Sequence, residues 1–379
     1  MRFALGGLLA LAVAMGIGRF AFTPILPMMQ EDAGVSVAQG GWLASANYVG
    51  YFIGALLAMA QPLRAAVAIR AALLAIGLST LGMGLVGDFA SWIGLRAVAG
   101  VASAWALIHV SSWCLERLTA LRRPALNGAM FAGVGCGIVL AGGVCLALMG
   151  MRAGSSQAWI ALGIVSFAVT ALVWRLLGVN TSATQVSRAR RDGYAWTPDA
   201  LRLVLCYGAF GFGYIIPATF VPVLAKQVIQ DPAVFGWAWP IFGLTAAVST
   251  LPAAALVRML GHRRVWILGA LAMAAGVAAP IVIPGLLGIL AAAILVGGTF
   301  MVITMAAMQE AGRLAGIHAP VLIGAMTSAF AAGQIIGPLS VSYVVDRQGS
   351  FSIALLLACG LLVASAIALT RRSRRKRGR

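Results

Sequence analysis

The chain alternates between long apolar stretches and short polar loops over its whole length. Each stretch has the length of about 20 residues that an α-helix needs to cross a bilayer. The stretches lie near residues 3–28, 40–62, 65–86, 90–114, 126–149, 157–178, 200–225, 236–258, 264–283, 286–309, 320–344 and 350–370. Because a bilayer interior offers no water to unpaired backbone groups, every stretch is predicted to be helical. The predicted fold class is therefore an all-α integral membrane protein with twelve transmembrane helices.

The two halves of the chain resemble each other at an offset of 195 residues. Gly16–Pro27 reads GIGRFAFTPILP and Gly211–Pro222 reads GFGYIIPATFVP, with both glycines and the last proline in matching places. This repeat predicts two parallel six-helix bundles, as in transporters that hold their substrate between two halves. We place the N-terminal bundle at residues 1–178, a cytoplasmic linker at 179–199, and the C-terminal bundle with a basic tail at 200–379.

Composition and charge fit a membrane protein with a defined orientation. The chain is 61% hydrophobic and only 9% charged, which is too apolar for a soluble domain. Basic residues concentrate in the loops on one side of the bundle, which the positive-inside rule assigns to the cytoplasm. We therefore expect a multi-pass protein of a bacterial inner membrane with both termini in the cytoplasm. The net charge of +18 does not indicate nucleic-acid binding, because the tail Arg371–Arg379 is expected to contact anionic lipid head groups.

Several segments resemble motifs of the major facilitator superfamily. Gly18–Met29, Gly41–Leu43 and Asn47–Tyr51 are similar to the opening of its largely uncharacterised YbfB-like branch. Arg96–Gly100 and Gly133–Gly137 resemble parts of the motifs that antiporters of the superfamily carry in helices 4 and 5. The resemblance implies a secondary transporter without a cofactor, in which helices 1, 4, 7 and 10 line a central cavity.

One superfamily feature is incomplete in this sequence. The loop between helices 2 and 3 usually contributes an acid and basic residues to a charge latch at the cytoplasmic gate. Here that loop offers Arg64 and Arg70 but no acid. The corresponding loop between helices 8 and 9 has Arg263 and Arg264, again without an acid. The sequence therefore leaves a charge latch in doubt in both halves.

Arg19 is the leading candidate for a substrate contact. Holding a guanidinium at bilayer depth costs from about 2.5 to well above 10 kcal/mol, and Arg19 is predicted roughly 13 Å from the outer end of helix 1. Arg96 has a comparable depth in helix 4, so the resemblance implies that both cations share the central cavity. None of the nine acids is predicted near the bilayer centre, although Asp88 could reach Arg96 from the outer loop. Arg19 is either capped by carbonyls and water as a structural residue or completed by an anionic substrate.

Other polar residues within the spans are further candidates. At the 195-residue offset Tyr214 matches Arg19, which predicts a phenol opposite the guanidinium. Candidates that could serve either the substrate or interhelical hydrogen bonds are Asn47, Tyr51, Tyr207 and Gln334. His109 and Glu116 lie seven residues apart on one helical face, where they could relay a proton or hold ordinary structural partners.

These observations favour a secondary active transporter that moves a small solute, with an organic anion as the favoured class and proton coupling as an option. An alternative is a proton-coupled exporter of drugs or metabolites, suggested by the partial antiporter motifs. A membrane-embedded enzyme is a third reading, but the spans contain no His-Glu-x-x-His or Gly-x-Ser-x-Gly motif. We expect no cofactor and no metal site, and we expect the protein to act as a monomer.

Overall fold

The computed structural model describes residues 1–60, 64–177, 194–228, 237–283, 285–348 and 352–371. Long helices account for nearly all of these residues, and no strand occurs among them. The helices are α1 (Arg2–Asp32), α2 (Val37–Ala60), α3 (Ala65–Leu85), α4 (Phe89–Ala120), α5 (Leu126–Gly150), α6 (Ser155–Leu177), α7 (Pro198–Val228), α8 (Ala238–Leu260), α9 (His262–Val282), α10 (Leu286–Ala315), α11 (Ala319–Gln348) and α12 (Ser352–Thr370). The predicted basic tail and most of the predicted linker lie outside the described residues.

Eleven helical stretches within the described ranges are long and apolar enough to cross a membrane. The longest, Leu286–Gly337, has 52 residues and covers α10 and part of α11, which meet at a 3-10 turn over Gly316–His318. The helix ends agree with the predicted spans to within a few residues, except that α4 continues to Ala120 and α10 to Ala315, each six residues beyond the predicted end. Glu116 and Arg117 in α4, and Glu310 and Arg313 in α10, lower the local hydropathy at these ends, although both residue types favour a helix.

The same helix pairs pack in each half of the described structure. In the N-terminal half α1 packs on α5, α2 on α4, and α3 on α6; in the C-terminal half α7 packs on α11, α8 on α10, and α9 on α12. The halves meet mainly through α5 against α8 and α2 against α11, which are themselves corresponding pairs. The internal resemblance of the sequence is thus accompanied by repeated packing. The exact bundle limits stay a prediction, since the linker is not described.

Glycines allow these helix pairs to approach closely. A Cβ atom on Gly50 would lie 2.1 Å from the carbonyl oxygen of Ala97 on α4. On Gly133 it would lie equally close, at 2.1 Å, to the carbonyl oxygen of Leu8 on α1. Any side chain at either position would force the two backbones apart, which explains why small residues occupy these contacts.

The glycine-rich segment of α5 serves two interfaces at once. Gly133 and Gly137 face α1 within the same half, whereas Gly135 faces α8 of the other half. A Cβ atom on Gly135 would lie 2.3 Å from the backbone nitrogen of Ala247. Gly128 and Gly142, each seven residues from Gly135, also face α8. This strip lets α5 and α8 touch backbone to backbone.

Candidate functional site

Arg19 lies in an unusual part of α1. The helix is π-helical from Ala12 to Phe20, and the Arg19 side chain is only 4% exposed. Gly16 packs against the backbone of Gly137 on α5, and Gly18 packs against α4. Segments of π-helix in proteins occur frequently at functional sites. The wide turns and the glycines together hold the Arg19 backbone deep between neighbouring helices.

The Arg19 guanidinium is held by aromatic rings and one amide. Its Cζ atom lies 4.0 Å from the ring centre of Tyr51 and 5.3 Å from that of Tyr48, both on α2. Such cation–π contacts partly replace lost hydration. One guanidinium nitrogen, NH2, donates a hydrogen bond to Oε1 of Gln334 on α11. The other, NH1, is buried without a hydrogen-bond partner among the described residues. The structure therefore brings the predicted residues Tyr51 and Gln334 to Arg19.

Arg96 lies nearby and is also buried. Its Nε and NH1 atoms donate long hydrogen bonds to the carbonyl oxygens of Leu43, at 3.4 Å, and Gly18, at 3.5 Å. Its Cζ atom lies 4.5 Å from the ring centre of Phe22. Asn47 donates from Nδ2 to the carbonyl oxygens of Arg96, at 3.1 Å, and Gly18, at 3.4 Å. Asn47 thus links α1, α2 and α4, which is an interhelical role.

Asp88 does not neutralise Arg96. Its carboxylate caps the N-terminus of α4 by accepting a hydrogen bond of 2.8 Å from the backbone N–H of Ser91. This hydrogen bond lowers the pKa of the Asp88 carboxyl below its usual value. No described Asp or Glu side chain contacts Arg96 or Arg19. Both guanidinium groups are therefore without a carboxylate partner in the described structure.

A small cavity of about 40 Å³ lies between the halves next to Arg19, and we call it the Arg19 cavity. It is large enough for a few water molecules or for the head of a small ion. The residues that give it its chemistry are Arg19, Tyr48, Arg96, Tyr214, Trp239 and Gln334. Tyr214 therefore does lie on the same cavity as Arg19, as the repeat offset predicts.

Unpaired hydrogen-bond donors surround the Arg19 cavity. Besides NH1 of Arg19, the Tyr214 hydroxyl, Nε1 of Trp239 and Nε2 of Gln334 have no hydrogen-bond partner among the described residues. Buried donors left unpaired cost about 1–3 kcal/mol each, so such a group of donors calls for an acceptor. The described lining also has two guanidinium groups and no carboxylate, so this arrangement is suited to bind the negatively charged end of a small molecule.

The repeat offset extends to several pairs of cavity residues. Arg19 matches Tyr214, Phe20 matches Ile215, Thr23 matches Ala218, and Ala44 matches Trp239, all at 195 residues, and all eight line the Arg19 cavity. Sequence reasoning missed Trp239, because its match in the other half, Ala44, has no chemistry that would single it out.

Tyr207 lies outside this cavity. Its hydroxyl is 3.4 Å from Oγ1 of Thr304 and its ring packs on Trp266.

A second cavity, of about 1460 Å³, opens at the end of the bundle where many arginines lie, and we call it the basic-end cavity. Its charged lining residues are Arg64, Glu116, Arg117, Arg258 and Arg313, together with His109, His262 and His318. These are all three histidines of the chain. His109 is 5% exposed, and its Nε2 atom has no partner among the described residues. Glu116 is exposed. Both candidates for the proton relay thus face the same cavity, but the relay stays a prediction.

A buried ion network lies at the same end of the C-terminal half. Glu310 on α10 accepts hydrogen bonds from Arg263 Nε at 2.6 Å and from two nitrogens of Arg313 at 2.7 and 2.8 Å. Arg263 also forms an ion pair with Asp199 on α7. The acids that were missing from the loop between helices 8 and 9 are thus supplied by α7 and α10. Inspection of the loop sequence alone could not reveal these ion pairs, since Asp199 and Glu310 are distant from Arg263 along the chain.

Comparisons with known proteins agree with this architecture. The model of the family described as "Uncharacterised MFS-type transporter YbfB" matches residues 11–370. Among solved structures, the human organic anion transporter MFSD10 (TETRAN) is similar with a TM-score of 0.74 and 15% sequence identity, and the match covers 97% of this chain and 99% of that one. At this identity the likeness shows the fold alone. No match was found among curated proteins.

Proposed function

We propose that this chain, which belongs to the major facilitator family described as uncharacterised MFS-type transporter YbfB, carries a small organic anion as its substrate. Membership of that family makes it a transporter and not an enzyme. The observation that carries the proposal is the buried Arg19 guanidinium, which has no carboxylate partner among the described residues and whose NH1 atom is unpaired among them. A substrate carboxylate would accept from NH1 and from the neighbouring Tyr214 and Gln334 donors. A hydrogen bond that involves a charged group contributes about 1.5–3 kcal/mol, and the Coulomb attraction between a carboxylate and the guanidinium adds a stabilisation that a neutral analogue lacks.

The two cavities suggest how the substrate would move. The basic-end cavity is open, whereas at the Arg19 cavity Phe20 of α1 packs against Trp239 and Phe300 of the other half. The positive-inside rule places the basic end in the cytoplasm, so this arrangement corresponds to an inward-open state. Rocking the halves about the glycine contacts of α5 with α8 would open the opposite side. The similar fold of a human organic anion transporter supports the proposal.

The test uses purified full-length protein and a panel of anionic, neutral and cationic metabolites in a thermal-shift screen. A ligand that binds only the folded protein raises its apparent stability by mass action. We expect the hits to be anions. We also expect Arg19→Gln to weaken their binding roughly 10- to 150-fold, which corresponds to one charge-assisted hydrogen bond.

Arg175→Gln is the matched control, because it removes an exposed arginine at the end of α6 without touching either cavity. It should bind like the wild type. Normal anion affinity in a well-folded Arg19→Gln protein, or hits confined to cations, would overturn the proposal. Arg19→Lys separates charge from geometry, because lysine keeps the charge but lacks the planar group that lets NH2 bond to Gln334 while NH1 is available for a carboxylate.

A further inference from the structure

A column of aromatic rings crosses the C-terminal half and begins and ends on the Arg19 cavity. It consists of Tyr214, Phe300, Phe242 and Trp239, and we call it the ring column. Successive ring centres are 5.1, 5.3 and 5.2 Å apart, and the planes of neighbouring rings differ by only 23°, 19° and 6°. Its two ends, Tyr214 and Trp239, both line the cavity. These side chains come from three helices, so the parallel alignment is a tertiary feature of this half.

The wall contributed by the N-terminal half has a different chemistry. Where the C-terminal half has Tyr214, the N-terminal half has Arg19 at the matching repeat position, and Arg96 lies on the same wall. Both guanidinium groups therefore lie on the N-terminal side of the cavity, which also carries Phe20, Phe22 and Tyr48, and the two ends of the ring column lie on the C-terminal side. A ligand that fits both sides carries a negative charge at one end and a flat apolar group at the other.

Phe20 indicates where such a flat group would bind. Its ring lies edge-on to Phe300, with centres 6.0 Å apart and planes at 80°, and it lies 6.3 Å from the ring of Trp239. Phe20 is the neighbour of Arg19 in sequence but belongs to the opposite half from these rings. When the halves separate at this end, α1 carries Phe20 away from Phe300 and Trp239 and leaves their rings open on the wall opposite the Arg19 guanidinium.

The size of the cavity indicates that a ligand ring would have to take the place of a side chain. About 40 Å³ is too small for a six-membered ring, since cavities that take up benzene measure about 150 Å³. A ring can therefore enter only if a side chain moves away. We propose that the substrate is a small aryl carboxylate, whose carboxylate binds Arg19 and whose ring replaces that of Phe20 against Phe300 and Trp239. This inference rests on the anion site proposed above.

The experiment compares three probes on purified full-length protein by calorimetry: 3-phenylpropionate, 3-cyclohexylpropionate and propionate. The first two have the same carboxylate and nearly the same apolar size, but only the first has a flat aromatic face. Aromatic pairs contribute beyond their buried area, which predicts that 3-phenylpropionate binds roughly 2- to 13-fold more tightly than its cyclohexyl analogue. Equal binding of the two, or tighter binding of the cyclohexyl compound, would overturn the inference.

Two variants test the location of the ring. Trp239→Leu and Phe300→Leu each remove one aromatic face and keep an apolar side chain, so the ratio between the phenyl and cyclohexyl probes should fall to about one. Trp42→Leu is the matched control, because Trp42 is 66% exposed and does not line the cavity. It should keep the wild-type ratio. A wild-type ratio in both Trp239→Leu and Phe300→Leu would contradict the placement of the ring.

The outcomes separate this inference from the proposed function. If none of the three carboxylates binds, or if Arg19→Gln leaves their affinities unchanged, the anion site is wrong and the inference falls with it. If the carboxylates bind in an Arg19-dependent manner without a preference for the phenyl probe, only the aryl inference is wrong. The ratio measured on the wild-type protein decides even where a variant does not fold.

Discussion

Replacing Glu310 by glutamine should destabilise the protein strongly. The Glu310 side chain is 2% exposed and its partner Arg263 is 7% exposed, so the substitution leaves a buried guanidinium with Asp199 as its remaining carboxylate partner. Breaking a buried ion pair by removing one partner costs about 3–5 kcal/mol. Because Asp199 stays and Arg313 is 59% exposed, the free energy of unfolding should fall by an amount at the lower end, about 3 kcal/mol.

The assay is reversible unfolding in mixed detergent micelles, followed by tryptophan fluorescence. Glu116→Gln is the matched control, since Glu116 lies near the corresponding end of α4 but is exposed and should change the free energy by no more than about 0.5 kcal/mol. A double-mutant cycle with Arg263→Gln should show a coupling energy between the two sites. If Glu310→Gln is as stable as Glu116→Gln, or if the cycle shows no coupling, the network does not hold this end of the C-terminal half.

Three further predictions concern transport and orientation. Gly135→Ala places a methyl group 2.3 Å from a backbone nitrogen of α8 and should slow uptake into proteoliposomes. The control Gly143→Ala adds a methyl group in open space and should not slow uptake. Equal uptake rates of the two variants would contradict the role of the α5–α8 contact. His109→Gln should leave anion affinity unchanged, because His109 lines the basic-end cavity and not the Arg19 cavity. Loss of proton-driven uptake in this variant would support the proton relay. Reporter fusions at Arg122 should indicate the cytoplasm and fusions at Ala33 the outside, and the reverse result would contradict the proposed orientation.

The helices could be predicted because crossing a bilayer imposes a length and a composition on every span. Glycines four residues apart, such as Gly133 and Gly137, permit close helix contacts. The sequence could not show that these two glycines face α1 while Gly135 faces α8. That division depends on how α5 is rotated about its axis, and rotation is set by the shapes of its neighbours rather than by local sequence.

The site was predictable only where burial has a large cost or where the repeat supplies a partner. Arg19 stood out because a buried charge is expensive, and Tyr214 followed from the offset of 195 residues. Trp239 has neither a charge nor an obvious motif, and its match, Ala44, is an ordinary alanine. A tryptophan in one half opposite an alanine in the other nevertheless marks where the two walls of the cavity differ. In a transporter with two repeats, the informative positions are therefore matched pairs whose side chains differ in chemistry between the halves. Identical halves would bind both ends of a substrate alike.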